Sequence, residues 1–273
     1  MIFLFRKTKL FVCFSIPLWI LTVVFARLFV FKTFNSTLQG ILLPAMFAFV
    51  GAYILWNFAI FQANRMHRAY TDILSIECDV DRYLTLYAPI REEGKKHPKT
   101  VFLTESSYAT ALNLAGRSEE ARQIMKEIMA SPDFLRKTML DRAEAYVDLG
   151  IYSLACGDVP ATREALLCAN DVMEKMTIGT GEYNRVYKEI ERLRHRANVA
   201  EGLYDSALEY FTDTSREYTV PFTKVNRMNT LAQIYRATGD TERLHKCLSY
   251  IAEHGGTMKM AKDAREELKK ENP

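Results

Sequence analysis

A helix–turn–helix pattern that occurs four times is the feature of this sequence that most constrains its fold. The stretch "LAQIYRATGDTERLHKCL", Leu231 to Leu248, shows one copy: an apolar stripe, a break at Gly239 and a second apolar stripe. The same break recurs at Gly116, Gly157 and Gly202, with intervals of 41, 45 and 37 residues along the chain. Glycine adopts the left-handed conformation that ends a helix, and repeated hairpins bury a shared core by stacking. The spacing therefore predicts an all-α solenoid of helical hairpins.

Residues within these hairpins resemble the tetratricopeptide repeat (TPR) family. The Leu149-Gly150 and Leu231-Ala232 pairs, the latter followed by Tyr235, match the first helix of a TPR unit. "GLYDSALEYF", Gly202 to Phe211, matches its second helix, and Pro132 stands at the end of a unit. The resemblance covers roughly residues 100–255 and implies stacked hairpins whose first helices line a concave, peptide-binding surface.

The chain also departs from the family pattern. Thr162 stands where alanine is expected, Arg194-His195 replace a Leu-Gly pair, and every interval exceeds the family's period of about 34 residues. Upstream, Cys78-Asp79 occupy the position where the later units have glycine. The closing stretch "TMKMAKDAREELKKENP" predicts a charged helix that covers the exposed end of the stack. The repeats are therefore degenerate, and a generic solenoid of helical hairpins is the alternative to a TPR domain.

The resemblance also implies which side chains face the concave groove. The wider inward-facing set adds Ser106, Thr110, Glu144, Asp148 and Ile151 to the peptide-binding candidates. Those candidates share a polar or cationic side chain on a first helix; they are Asn113, Arg192, Arg196, Asn226, Asn229, Gln233 and Arg236. Arginine forks pair carboxylates through two parallel hydrogen bonds, so an acidic peptide or a peptide carboxylate is the expected ligand. The competing interpretation is that these are ordinary solvated polar faces.

Two long apolar runs precede the repeats and predict a membrane anchor in residues 1–63. Residues 10–31 carry one charge, Arg27, and residues 41–61 carry none. Each run reaches about 32 Å as a helix, enough to cross a hydrocarbon core of about 30 Å. No small-residue cleavage pattern follows the first run, and a second run follows it directly, which disfavours a cleaved signal peptide. The soluble domain is then expected over residues 64–273.

The charges that flank the two runs predict the orientation. Arg6, Lys7 and Lys9 precede the first run, Arg65 and Arg68 follow the second, and the loop between them holds only Lys32. Because positive flanks stay in the cytoplasm, we expect both termini and the repeat domain on the cytoplasmic side of a plasma membrane, in a bacterium. The N-terminal 61 residues contain no acid, so residues 62–273 carry 33 acidic and 31 basic residues, a formal charge of −2. The overall charge of +3 therefore indicates no nucleic-acid partner.

No motif in the sequence points to catalysis. The five cysteines include no C-x-x-C pair, and the five histidines include no pair with metal-binding spacing on one helix. Gly179-Thr180-Gly181 is half of a dinucleotide fingerprint, but it lacks the third glycine and follows a predicted helix. We therefore expect no enzyme, no cofactor and no metal site.

Two functions remain from the sequence. The first is a membrane-anchored scaffold or adaptor that binds a partner peptide or helix in its groove, held near membrane partners by its anchor. The alternative is a structural subunit of a transport, secretion or envelope complex, held through its transmembrane hairpin. Small residues along the second run, Ala45, Ala48, Gly51 and Ala52, give that run a face suited to close helix packing.

Overall fold

A computed structural model describes residues 50–51, 53–54, 56–58, 61, 65, 68–213 and 220–271. The predicted first span, residues 10–31, lies outside this set, and the second, residues 41–61, is described only in part. Within the described set, no helix is both long enough and apolar enough to cross a membrane. The chain divides into two compact units, Met1–Thr71 and Asp72–Pro273, and everything below concerns the second unit.

The described part of the second unit is helical throughout, which confirms the predicted all-α class. Its first six helices are α1 (Val80–Lys95), α2 (Pro98–Leu114), α3 (Ser118–Ala130), α4 (Met139–Ala155), α5 (Val159–Met173) and α6 (Gly181–Ala200). The remaining four are α7 (Tyr204–Thr212), α8 (Pro221–Thr238), α9 (Thr241–His254) and α10 (Lys259–Glu271). A short 3-10 turn, Phe134–Arg136, joins α3 to α4.

Successive helices pair as hairpins in the order that the glycine spacing predicts. The pairs are α2 with α3, α4 with α5, α6 with α7, and α8 with α9. The first helices α2, α4, α6 and α8 also contact one another in sequence, while each second helix packs against the next first helix. This is the arrangement of a solenoid, and it places one face of every first helix on the inside.

The four hairpin turns have the same backbone geometry. Gly116, Gly157, Gly202 and Gly239 all have φ between 76° and 85°. In each turn the amide after the glycine donates to the carbonyl four residues before the glycine, at 2.8 to 3.0 Å. That bond satisfies a carbonyl at the end of the first helix, as in the Schellman motif. Cys78 has φ 54°, the one positive value among the described non-glycine residues, so it does replace glycine at the upstream turn.

The stripes predicted from the sequence form the buried core between layers. One cluster joins α4, α5 and α6 around Val147, Leu166 and Ile190, and another joins α2, α3 and α4 around Leu112, Met125 and Tyr152. Burial of each such side chain stabilises the fold by roughly 1.5–3 kcal/mol.

Gly150 and Thr162 lie where α4 packs closely against α6 and α5. A Cβ at Gly150 would lie 2.6 Å from a methyl group of Leu193 on α6, so a larger residue there would have to displace that side chain. Thr162, the departure from the alanine expected by family resemblance, is fully buried and donates its hydroxyl proton to carbonyls of Gly150 and Asp158. Each hydroxyl in a core needs such an acceptor, because an unpaired one is costly to bury.

The C-terminal helix returns to the start of the domain and joins its two ends. The Thr257 amide donates to the Cys78 carbonyl at 3.1 Å, and the Thr257 hydroxyl donates to the Asp79 carboxylate at 3.1 Å. The Asp81 amide donates to Thr257 Oγ1, and Lys262 pairs with the Asp81 carboxylate, both at 3.0 Å. We call these five residues the clasp. Because α1 packs on α2 and α10 on α9, the clasp closes the stack into a ring.

Candidate functional site

The ring encloses a cavity of about 780 Å³. Ligand-binding cavities in proteins span roughly 300–1,000 Å³, so this one has room for a short peptide segment or a small molecule. The walls come from α2, α4, α6 and α8, from Leu248 and Ile251 of α9, and from the inner face of α10. The predicted peptide-binding residues all line this one cavity: Asn113, Arg192, Arg196, Asn226, Asn229, Gln233 and Arg236. The structure therefore brings together side chains that lie up to 123 residues apart in sequence.

The remaining inward-facing candidates divide into two groups. Thr110, Asp148 and Ile151 line the cavity, whereas Ser106 and Glu144 do not. The Thr110 hydroxyl shares a hydrogen bond of 3.0 Å with the Tyr152 hydroxyl, which fixes both side chains. The lining residues of α2 and α4 thus lie further toward the C-terminal ends of these helices than Ser106 and Glu144 do.

Two arginines on α6 form the cationic wall of the cavity. One Arg192 terminal nitrogen donates to both carboxylate oxygens of Glu189, at 2.9 and 2.8 Å. Arg196 lies one helical turn further along the same face, and it has no hydrogen bond or ion pair with any described residue. Burial, and then the neighbouring Arg192 charge, lower the pKa of Arg196 from its usual value. The charge of Glu189 opposes this lowering of the pKa, but Arg196 has no ion-pair partner among the described residues.

Asp148 on α4 is an acidic residue of the cavity lining that resembles Arg196 in having no partner. It too has no hydrogen bond or ion pair with any described residue. Burial, and then the charges of Glu144 and Glu189, raise the pKa of Asp148 to about 7, with Arg185 opposing them. A carboxylate held in this way is about half protonated at neutral pH, so a cation brought close to it would gain a strong partner.

The α8 wall offers amides and one arginine that is already paired. Asn226 donates to the Phe222 carbonyl at 3.0 Å, whereas the Asn229 and Gln233 amides make no hydrogen bond with described residues. Arg236 forms a bidentate pair with Glu267 of α10, at 2.8 and 2.7 Å. An acidic side chain of the chain itself therefore already occupies the arginine at this end of the groove.

Helix α10 supplies the wall that sequence reasoning missed. Met258, Ala261 and Ala264 are buried, while Lys259, Asp263 and Glu267 face the cavity. Lys259 pairs with Asp263 one turn away on α10, so this wall is largely neutralised within itself and by Arg236. The apolar spacing at 258, 261 and 264 is a helical stripe that could have been found in the sequence. The packing of α10 on α9, and its closure onto the start of the domain, depend on long-range contacts.

Comparisons with known proteins add no identification: no known protein family's sequence model, no curated protein and no solved structure matches this chain. Within the described residues, no group of three or more His, Cys, Asp or Glu side chains is placed to hold a metal ion. The chemistry of the cavity must therefore be inferred from its own side chains, namely hydrogen-bonding amides, an unpaired arginine and an unpaired aspartate.

Proposed function

We propose that this chain is a membrane-anchored, TPR-like scaffold that binds a segment of a partner protein in its inner cavity. One observation carries the proposal: the seven polar residues expected from the repeat register line a single cavity of about 780 Å³. The two apolar runs of residues 10–31 and 41–61 supply the anchor in this proposal, and the degenerate repeats supply the TPR-like stack.

The chemistry of the walls supports a peptide ligand. The Asn229 and Gln233 amides are free among the described residues and can bond to the carbonyls and amides of an extended main chain. Arg196 can bind a carboxylate through two parallel hydrogen bonds. These groups stand on helices that are fixed by a packed core, so little ordering is needed when a ligand binds.

The pair between Arg236 and Glu267 supports an acidic ligand. A glutamate on a helix already lies against an arginine of the groove, within hydrogen-bonding distance. A partner segment with acidic side chains would reproduce this contact at Arg196, which forms no ion pair with an acid of the described chain. The proposal therefore favours an acidic or carboxylate-bearing segment.

Crosslinked co-purification from native membranes tests this function. The cavity variant combines Arg196→Gln with Asn229→Ala, and the control is Arg194→Gln, on the same helix but outside the cavity lining. All proteins should first show equal helicity by circular dichroism. We expect a partner that is recovered with the wild type and the control but reduced at least tenfold with the cavity variant. Equal recovery with all three would contradict the proposal.

The alternative, a structural subunit held through its predicted hairpin, predicts a different result. A chain whose residues 1–63 are replaced by an unrelated two-span anchor would then lose the partner, while the cavity variant would keep it. The small residues at 45, 48, 51 and 52 are the sequence feature that favours this outcome.

A further inference from the structure

The cavity contains two side chains of opposite charge that do not pair with each other or with any other described residue. They are Arg196 on α6 and Asp148 on α4. The two helices pack directly, so the two side chains share one wall of the cavity. The sequence alone predicts that both face inward but does not show that both remain unpaired.

Their separation follows from the helices that carry them. Glu144 of α4 pairs with Arg185 of α6, and Gly150 of α4 lies against Leu193 of α6. Asp148 lies between these two contacts, so it is level with the part of α6 around Glu189. Arg196 lies seven residues beyond Glu189, which is about 10 Å along the axis at a rise of about 1.5 Å per residue. The cavity wall therefore presents an acidic point and a basic point that are separated by about two helical turns.

A buried ion pair elsewhere in the same domain shows that this chain does pair its charges. Arg91 donates to both carboxylate oxygens of Glu105, at distances between 2.8 and 3.1 Å, and its guanidinium also stacks 4.1 Å from the Tyr108 ring centroid. Removing a protein partner from a buried charge costs about 3–5 kcal/mol. Asp148 and Arg196 are only partly buried and have no such partner among the described residues, so a ligand in the cavity could supply one to each.

We propose that the cavity selects a dipolar segment, with a carboxylate bound to Arg196 and an ammonium or guanidinium group bound to Asp148. This inference rests on the proposed function, and it adds a basic group to the ligand. An extended chain rises about 3.3 Å per residue, so a separation of about 10 Å places the two charged residues of the ligand two to four positions apart. The raised pKa of Asp148 agrees with this assignment, because a bound cation would restore the carboxylate.

Other charged side chains of the described cavity walls already have partners. On α8, Arg227 donates to the Phe211 carbonyl. On α6, Arg192 is paired with Glu189. Across the cavity, Arg236 is paired with Glu267, and Lys259 with Asp263. A ligand that carries only negative or only positive charge would pair with only one of the two groups. The arrangement therefore favours a ligand that carries both an acidic and a basic group.

Selection from a random peptide library tests the inference and does not require the partner to be identified first. The full-length protein, purified in mild detergent, is presented as wild type, Asp148→Asn and Arg196→Gln. Matched controls are Asp141→Asn on α4 and Arg194→Gln on α6, both outside the cavity lining. We expect the wild type and both controls to enrich peptides with Lys or Arg two to four positions from Asp or Glu. Asp148→Asn should lose the basic preference alone, and Arg196→Gln the acidic preference alone.

The best peptide is then synthesised and its Kd is measured by fluorescence anisotropy. Neutralising its acid should weaken binding to the wild type about tenfold, the effect of about 1.4 kcal/mol, and should change binding to Arg196→Gln by less than twofold. If Arg196→Gln loses helicity, Arg196→Lys replaces it: the charge stays, the fork is lost, and binding should weaken severalfold.

The outcomes distinguish the dipolar-ligand inference from the proposed peptide-binding function. Enriched peptides that carry acids only, with Kd unchanged by Asp148→Asn, would overturn the dipolar ligand and leave peptide binding in place. Peptides whose Kd is unchanged by both cavity variants bind elsewhere, and that result would overturn both proposals. The same holds if the wild type enriches nothing over detergent-coated resin.

Discussion

Replacing Asp148 with Asn should stabilise the protein at pH 8 and should not stabilise it at pH 4. The carboxyl has a pKa of about 7 in the folded chain against an ordinary value of 3.8. At 1.36 kcal/mol per pKa unit, ionising it in the folded state costs about 4 kcal/mol. Asp148 keeps contact with solvent in the cavity, which reduces this cost. At pH 8 we therefore expect the free energy of unfolding of Asp148→Asn to exceed that of the wild type by about 2–4 kcal/mol.

The direction follows from proton linkage. A folded pKa above the unfolded pKa means that the folded chain binds the extra proton, so Asp148 destabilises the fold progressively from about pH 4 to pH 7 and by a constant amount above it. Asparagine cannot ionise, so the stability of the variant relative to wild type should rise over that window. Urea unfolding followed by circular dichroism between pH 4 and 8 measures this difference. A difference that is constant across the window would refute the assignment of an unpaired, desolvated carboxylate.

Three further changes test the packing and the ion pairs. Gly150→Ala should destabilise by about 1–3 kcal/mol, because its Cβ would press on Leu193; unchanged urea unfolding would contradict the close approach of α4 and α6. Glu105→Ala should cost about 3 kcal/mol by leaving Arg91 buried without its partner, and a loss below about 0.5 kcal/mol would show that the pair is solvated. Burial raises the pKa of Cys247 to about 11, so its thiolate fraction at pH 8 falls about a hundredfold. Its alkylation by iodoacetamide, followed by mass spectrometry, should lag far behind that of free N-acetylcysteine; equal rates would show an exposed thiol.

Most of the fold could be predicted from local periodicity in the sequence. Each hairpin turn needs a left-handed residue, which glycine provides, and that requirement is visible in the spacing of Gly116, Gly157, Gly202 and Gly239. Even Cys78, a residue rarely found at positive φ, was marked by its place in the series. Side chains three and four positions apart share a helix face, so the core stripes could be predicted in the same way. The inward-facing candidates came from the resemblance to the TPR family.

The closure of the ring could not be predicted from local patterns. The clasp joins residues near 80 to residues near 260, and such contacts depend on the summed rotation of every hairpin between them. For that reason the sequence predicted α10 as an end cap and missed its role as a cavity wall. Ion pairing could not be predicted either. Arg236 and Arg196 both belong to the expected inward-facing set, yet only Arg236 forms an ion pair with an acid of the described chain, Glu267 of α10.

Photo-crosslinking in intact cells tests the central claim, that the inner cavity receives a partner segment. Benzoylphenylalanine is placed at Gln233, which lines the cavity with an exposed side chain, or at Leu167 on α5, which is 67% exposed outside the cavity lining. The account predicts a partner adduct from position 233 that disappears with Arg196→Gln, and none from position 167. An adduct from position 167 alone, or one from position 233 that is indifferent to Arg196→Gln, would contradict it.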